Sequence, residues 1–256
     1  MEYLLLLLLL FLCLIIFFVY SKCDIAAKTI SHKCNNNERF NHTDIFKMTK
    51  AQTVLDLYKL LYIIDKVLID NDIEYWIDGG TLLGAVRHKG IIPWDDDGDI
   101  QIWDTDEDEL KSLQSEFDDY GVVLMETWFG YKVFFKNGQR IKGKEWLYPS
   151  VDIFPVKEMN GKTIYAYDKA NILFGRCYYD TKDIYPLERY QFGTFDLNGV
   201  YIDAAKKYLD RCYGNDWPTH AYPIFDHENE KVLKKEKVKL SENDKRPATP
   251  MEFEKF

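Results

Sequence analysis

The stretch from residue 75 to residue 103 constrains the fold of this chain more than any other. An apolar run ends in Asp78-Gly79-Gly80, then comes Thr81-Leu82-Leu83-Gly84-Ala85-Val86-Arg87-His88-Lys89, and four aspartates fall within residues 95–99. The pattern predicts a strand over 73–78, a short helix over 81–88 and a second strand over 97–103, in which Ile100 and Ile102 alternate with Asp99, Gln101 and Trp103. Strand, Gly-Gly, helix and strand within thirty residues build one corner of a sheet with a helix packed against it. Side chains two apart on a strand share a face, so Asp97 and Asp99 stand side by side about 6.6 Å apart along it.

Two carboxylates so placed suit a hard divalent cation such as Mg²⁺ or Mn²⁺. An acidic surface loop is the bland alternative. A calcium loop is excluded, because Asp95, Asp97 and Asp99 occupy positions 1, 3 and 5 but Ile100 stands where glycine is required and Asp106 where glutamate is. Upstream, Gly79, Gly80 and Thr81 open a helix whose free N–H groups can meet an anion, and Arg87 and His88 add basic groups close by. The alternative reading is a tight turn followed by a solvated basic helix end. A third acid, Asp152, interrupts the apolar run Val151-Asp152-Ile153-Phe154-Pro155. An unpaired charge inside a strand is costly, so its side chain should face a cleft, a partner or a metal. An anion cradle, paired carboxylates and a third strand acid together form a parts list for metal-assisted phosphoryl or nucleotidyl chemistry.

The remainder of the chain frames that core. Residues 3–20 carry 18 apolar side chains and no charge. At about 27 Å as a helix they read as a transmembrane anchor over 1–22, with a cleaved signal peptide as the rival. A polar stalk follows over 23–48, then the catalytic domain over 49–227 and a charged, solvated tail over 228–256. Lysines 22, 28 and 33 favour a cytoplasmic domain, whereas the sequon at Asn41 favours a lumenal one. The expected location is a single-pass membrane protein with its domain in a lumen. Heptad-like apolar spacing predicts a helix from Thr49 to Asp70, acidic residues after Thr105 another to about 120, and residues 201–213 a third that Gly214 stops. Asn137-Gly138 and Asn160-Gly161 each predict a hairpin turn. The five cysteines form no C-x-x-C pair, and bridging of Cys177 to Cys212 is left open. With 33 basic against 42 acidic residues the net charge is −9, which argues against a nucleic-acid partner held by phosphate neutralisation.

The run from Gly79 to His88, followed by Ile92-Pro93-Trp94-Asp95 and Asp97-x-Asp99, resembles the LicD and fukutin-related family of the nucleotidyltransferase superfamily. The resemblance continues through Val151-Asp152-Ile153-Phe154-Pro155 and echoes in Tyr213-Gly214-Asn215-Asp216-Trp217-Pro218. It implies an α/β (α+β) nucleotidyltransferase-like domain with a mixed central sheet. It also implies transfer of a phosphorylated alcohol, phosphocholine or a pentitol phosphate, from a CDP-activated donor to a glycan hydroxyl with release of CMP. Asp97 and Asp99 match the family's metal pair and Asp152 its third carboxylate. Gly98 departs from the branched residue commoner there, and the cysteine-rich zinc insertion of some animal members is missing. A nucleotide-sugar glycosyltransferase with a D-x-D metal motif and a catalytically inactive glycan-binding protein remain the rivals.

Overall fold

The computed structural model describes residues 46–249 except 223, 224 and 235. The first helix, α1 (Ala51–Asp70), forms where the apolar spacing predicts it and buries Val54, Leu57, Tyr58, Leu61, Ile64, Val67 and Leu68 on one stripe. Fully burying each such side chain contributes about 1.5–3 kcal/mol, so this stripe, more than helix propensity, holds α1 in place. Thr49 does not cap the helix: its hydroxyl donates to the Asp95 carbonyl at 2.7 Å, tying the start of α1 to the aspartate loop.

A mixed sheet follows, built of β1 (Tyr75–Ile77), β2 (Gly98–Trp103), β3 (Val122–Thr127), β4 (Gly130–Arg140), β5 (Leu147–Met159) and β6 (Lys162–Tyr165). The spatial order is β1-β2-β5-β4-β3, with β6 paired to the far end of β5. Only the central β2–β5 ladder is parallel, and it places Asp99 opposite Asp152. On the other side of β5 the antiparallel ladder places Lys132 opposite Asp152. Gly98, Ile100, Val151 and Ile153 turn toward α1 and are buried. A Cβ on Gly98 would lie 3.2 Å from Val151 Cγ2 and 3.4 Å from Leu61 Cδ2, which gives the physical reason for glycine at this position.

Helix α2 (Gly79–Arg87) connects β1 to the aspartate loop. The segment after β2 is broken into a 3₁₀ turn and two short helices, α3 (Glu107–Ser112) and α4 (Gln114–Asp119), where the sequence predicts one longer helix. Asn160-Gly161 does turn the β5–β6 hairpin, both residues having positive φ. Asn137-Gly138 does not. It lies within β4, at a bulge where the register passes from Phe134↔Ser150 to Gln139↔Tyr148. Gly138 is needed for close approach, since a Cβ there would sit 2.9 Å from Leu147 Cβ.

Beyond the sheet come α5 (Asp168–Phe174), the hairpin β7 (Leu187–Phe192) and β8 (Phe195–Val200), and α6 (Ile202–Tyr213). Gly214 ends α6 with φ 84°, as its sequence position predicts. Cys177 and Cys212 are paired as a disulfide with Cα atoms 5.2 Å apart. The last described segments are β9 (His220–Ala221), β10 (Phe225–Asp226), β11 (Lys231–Val232) and β12 (Val238–Lys239). Residues 238–249 pack back on the domain: β12 pairs with β9, and Ala248 N–H donates to the Ile91 carbonyl.

The expected transmembrane helix is corrected. No helix among the described residues is long and apolar enough to cross a membrane, so the described residues do not support a single-pass membrane protein. Residues 3–20, like the Asn41 sequon and Cys13, Cys23 and Cys34, lie outside the described part of the chain.

Candidate active site

Along β2 and β5 the face opposite α1 carries Asp99 and Gln101 beside Asp152 and Phe154, and it opens into a cavity of about 810 Å³. Gly79, Gly80, Arg87, the four aspartates 95, 96, 97 and 99, Asp152 and His227 all line that cavity. Thus Asp97, Asp99, Asp152, Gly79, Gly80 and Arg87, proposed from sequence on separate grounds, meet around one space. Thr81 and His88 do not line it.

The helix N-terminus faces the protein's own acids. Gly80 N–H donates to Asp99 Oδ2 at 3.3 Å. Gly79 adopts φ +49°, and a Cβ there would fall 2.6 Å from Asp99 Oδ2; one on Gly80 would fall 2.7 Å from Asp95 Oδ2. The two glycines therefore let carboxylates approach the start of α2, where the helix dipole favours negative charge. Thr81 is buried, and its hydroxyl accepts the Asp99 N–H at 2.8 Å, locking α2 to β2. Beneath them Asp78 is buried between Gln101, whose amide donates to it at 2.8 Å, and Tyr179, whose hydroxyl donates at 3.2 Å.

Arg87 reaches from the far end of α2 and donates to the carbonyls of Trp217 and His220 at 2.7 and 3.0 Å. Burial lowers its pKa to about 10, still charged at neutral pH. His88 is buried against the edge of Trp94, and burial together with the adjacent Arg87 pushes its pKa down to about 2. It is a neutral core imidazole.

The acids are crowded. Burial, then repulsion from Asp97 and Asp152, holds the Asp99 carboxyl well above the usual carboxylate range, and burial with repulsion from Asp97 and Asp96 does the same at Asp95. Asp96 accepts the Tyr148 hydroxyl at 3.2 Å and the backbone N–H groups of His227 and Glu228. His227 Nε2 lies 3.1 Å from Asp97 Oδ2. One ligand atom each from Asp96, Asp97 and His227 lie within 4.8 Å of one another, a spacing that could hold a metal ion. An excess of clustered buried carboxylates is what a divalent cation offsets, so the donor set fits Mg²⁺ or Mn²⁺.

Two residues of the site were not visible in the sequence. His227 reaches Asp97 from a segment 130 residues away. Lys132 is buried beside Asp152, its Nζ 2.5 Å from Asp152 Oδ1 and 3.2 Å from Ser150 Oγ. Its one sequence signal was a lysine at an inward-facing strand position between Tyr131 and Val133. Burial raises the Asp152 pKa and Lys132 opposes that shift.

Residues 72–199 match the family model "LicD/FKTN/FKRP, nucleotidyltransferase domain". The chain is 33% identical over 206 residues, 78% of its own length and 71% of the relative's, to "Uncharacterized protein RP689" of Rickettsia prowazekii (strain Madrid E). It is 36% identical over 90 residues to "Ribitol 5-phosphate transferase FKRP" of Homo sapiens, 35% of this chain but 18% of that one. Over 28 residues it is 68% identical to "Lipopolysaccharide cholinephosphotransferase LicD" of Haemophilus influenzae, 11% of each chain. Both relatives with a named activity are transferases, and each is matched over less than a fifth of its length. With half the chain under the family model and an extended relative above 30% identity, this protein belongs to the LicD/FKTN/FKRP nucleotidyltransferase-domain family.

Proposed function

We propose that this chain transfers a phosphorylated alcohol, of the phosphocholine or pentitol-phosphate kind, from a CDP-activated donor to a glycan hydroxyl and releases CMP. The observation that carries the reading is the Asp99–Asp152 pair across the parallel ladder, with Asp97 beside it, at the wall of a cavity large enough for a nucleotide. The two named relatives, a ribitol 5-phosphate transferase and a cholinephosphotransferase, support the same class of transferred group.

In this reading Asp97 and Asp99 hold Mg²⁺ or Mn²⁺, which when bound neutralises diphosphate charge and polarises the transferred phosphoryl group. Arg87, charged and tethered to two carbonyls, presents a fixed cation to the donor phosphates from the other wall. The Gly79-Gly80 start of α2 keeps Asp99 and Asp95 in place and so acts on phosphate indirectly. Asp152, paired with Lys132, is the group assigned to take the proton of the acceptor hydroxyl.

Incubation of the protein with CDP-choline, CDP-ribitol or CDP-glycerol, a glycan acceptor panel and Mn²⁺ tests this. The expected result is metal-dependent CMP release with a phosphodiester product for one donor. Release of a nucleoside diphosphate from a nucleotide sugar with a new glycosidic bond would replace it with a glycosyltransferase. Tight metal binding with no turnover of any donor would replace it with an inactive glycan-binding protein.

A further inference from the structure

We propose that the Lys132 ammonium takes the place of a second cation at the acid cluster, so that Asp152 serves the lysine and a divalent metal is held by the Asp97 side alone. The inference rests on the metal reading above and refines it, because the sequence reading set Asp152 beside Asp97 and Asp99 as a third metal ligand, with the acceptor's base as its other role.

The placement comes from two strand registers. Lys132 on β4 stands opposite Asp152 on β5, and Asp152 stands opposite Asp99 on β2. Paired residues share a face, and neighbouring strands lie about 4.8 Å apart, so a cation and two carboxylates form a row across the sheet. Lys132 is no solvated strand lysine. It retains 5% of its exposure, and its ammonium bonds Asp152 Oδ1 and Ser150 Oγ while lying 5.5 Å above the Phe129 ring centroid and 5.2 Å above that of Trp146. A lysine buried alone would shed its proton, but the carboxylates of Asp152, then Asp97 and Asp99, outweigh that desolvation and keep it cationic.

A charged ammonium at hydrogen-bond distance from one Asp152 oxygen repels a divalent cation approaching the same carboxylate. Asp97 differs in its neighbour: His227 Nε2 lies 3.1 Å from Asp97 Oδ2, and an imidazole nitrogen, unlike an ammonium, can itself ligate a metal. The row therefore divides into a fixed internal cation at Asp152 and an exchangeable one at Asp97 and Asp99. Lys132 is a positioning residue that fixes the Asp152 carboxyl without competing for the metal.

Calorimetric titration of Mn²⁺ into the full chain, without donor, tests the division. The expected pattern is one Mn²⁺ bound by wild type, a loss of at least tenfold in affinity in Asp97→Asn, and an affinity within threefold of wild type in Asp152→Asn. Lys132→Met frees Asp152 and should bind Mn²⁺ at least tenfold more tightly or take up a second ion, and this gain should vanish in the Lys132→Met, Asp152→Asn double variant. Should either single variant fail to fold by circular dichroism, the double variant, which removes both charges together, takes its place and should match wild type. A tenfold or greater loss of Mn²⁺ affinity in Asp152→Asn or in the double variant, or unchanged binding by a folded Lys132→Met, overturns the proposal while leaving the metal-dependent transferase reading intact. A wild-type chain that binds no Mn²⁺ overturns both.

Discussion

Asp99 and Asp152 face each other across the parallel β2–β5 ladder, 53 residues apart in sequence, and their repulsion helps hold the Asp99 carboxyl well above its usual range. The acid cluster is thus built against electrostatic preference. Active sites store such local cost where a ligand relieves it.

Asp99→Asn removes a buried charge but no core packing. Its thermal midpoint without metal should equal or exceed that of wild type, while stabilisation by Mn²⁺ disappears and turnover falls by at least 10²-fold. Differential scanning fluorimetry with and without Mn²⁺, beside the CMP-release assay, separates these effects; a metal-free midpoint several degrees lower would mean that Asp99 is structural.

Protons and metal compete for the same carboxylates. Because the Asp95 and Asp99 carboxyls are raised by burial and mutual repulsion, protonation relieves the cluster at acid pH and a divalent cation relieves it at neutral pH. The Mn²⁺-induced rise in melting temperature should therefore be larger at pH 7.5 than at pH 5. An equal shift at both values would place the ion elsewhere.

His88 carries a separate pH signature. Its folded pKa is depressed to about 2 from an ordinary 6.5, so below pH 6.5 the unfolded chain binds a proton that the folded chain refuses. The stability attached to neutral His88 is fully present above pH 6.5 and is lost as pH falls, at up to about 1.4 kcal/mol per unit, or roughly 2 kcal/mol by pH 5. Urea titrations at the two pH values should show that loss in wild type and a smaller one in His88→Gln.

Gly98 tests the packing between β2 and α1. A valine there would drive its side chain into Val151 and Leu61, and overpacking of this kind costs about 1–3 kcal/mol. Gly98→Val should lower the unfolding free energy measured by urea titration by that amount, and Gly98→Ala by less. A valine variant as stable as wild type would show that β2 and α1 can separate without cost.

Local patterns in the sequence were enough for α1, α2, β2, α6 and the Asn160-Gly161 turn, because apolar periodicity and turn chemistry act over a few residues. The two-residue spacing of Asp97 and Asp99 and the isolated charge at Asp152 marked, for the same reason, three acids that the fold gathers at one cavity. Asn137-Gly138 carries an identical turn signal yet continues through β4, since there the close approach of β5 selects the glycine. Register decided the rest. Nothing near Lys132 or His227 in sequence points to Asp152 or Asp97; they meet only because β4 aligns on β5 and because residues 225–228 fold back over the aspartate loop. The glycines read from sequence as an anion cradle do receive anions, but the carboxylates they receive are the protein's own. Chemistry carried by short spacings is a property of the sequence, whereas which charges neutralise one another depends on strand pairing across tens of residues, and tertiary structure alone supplies that.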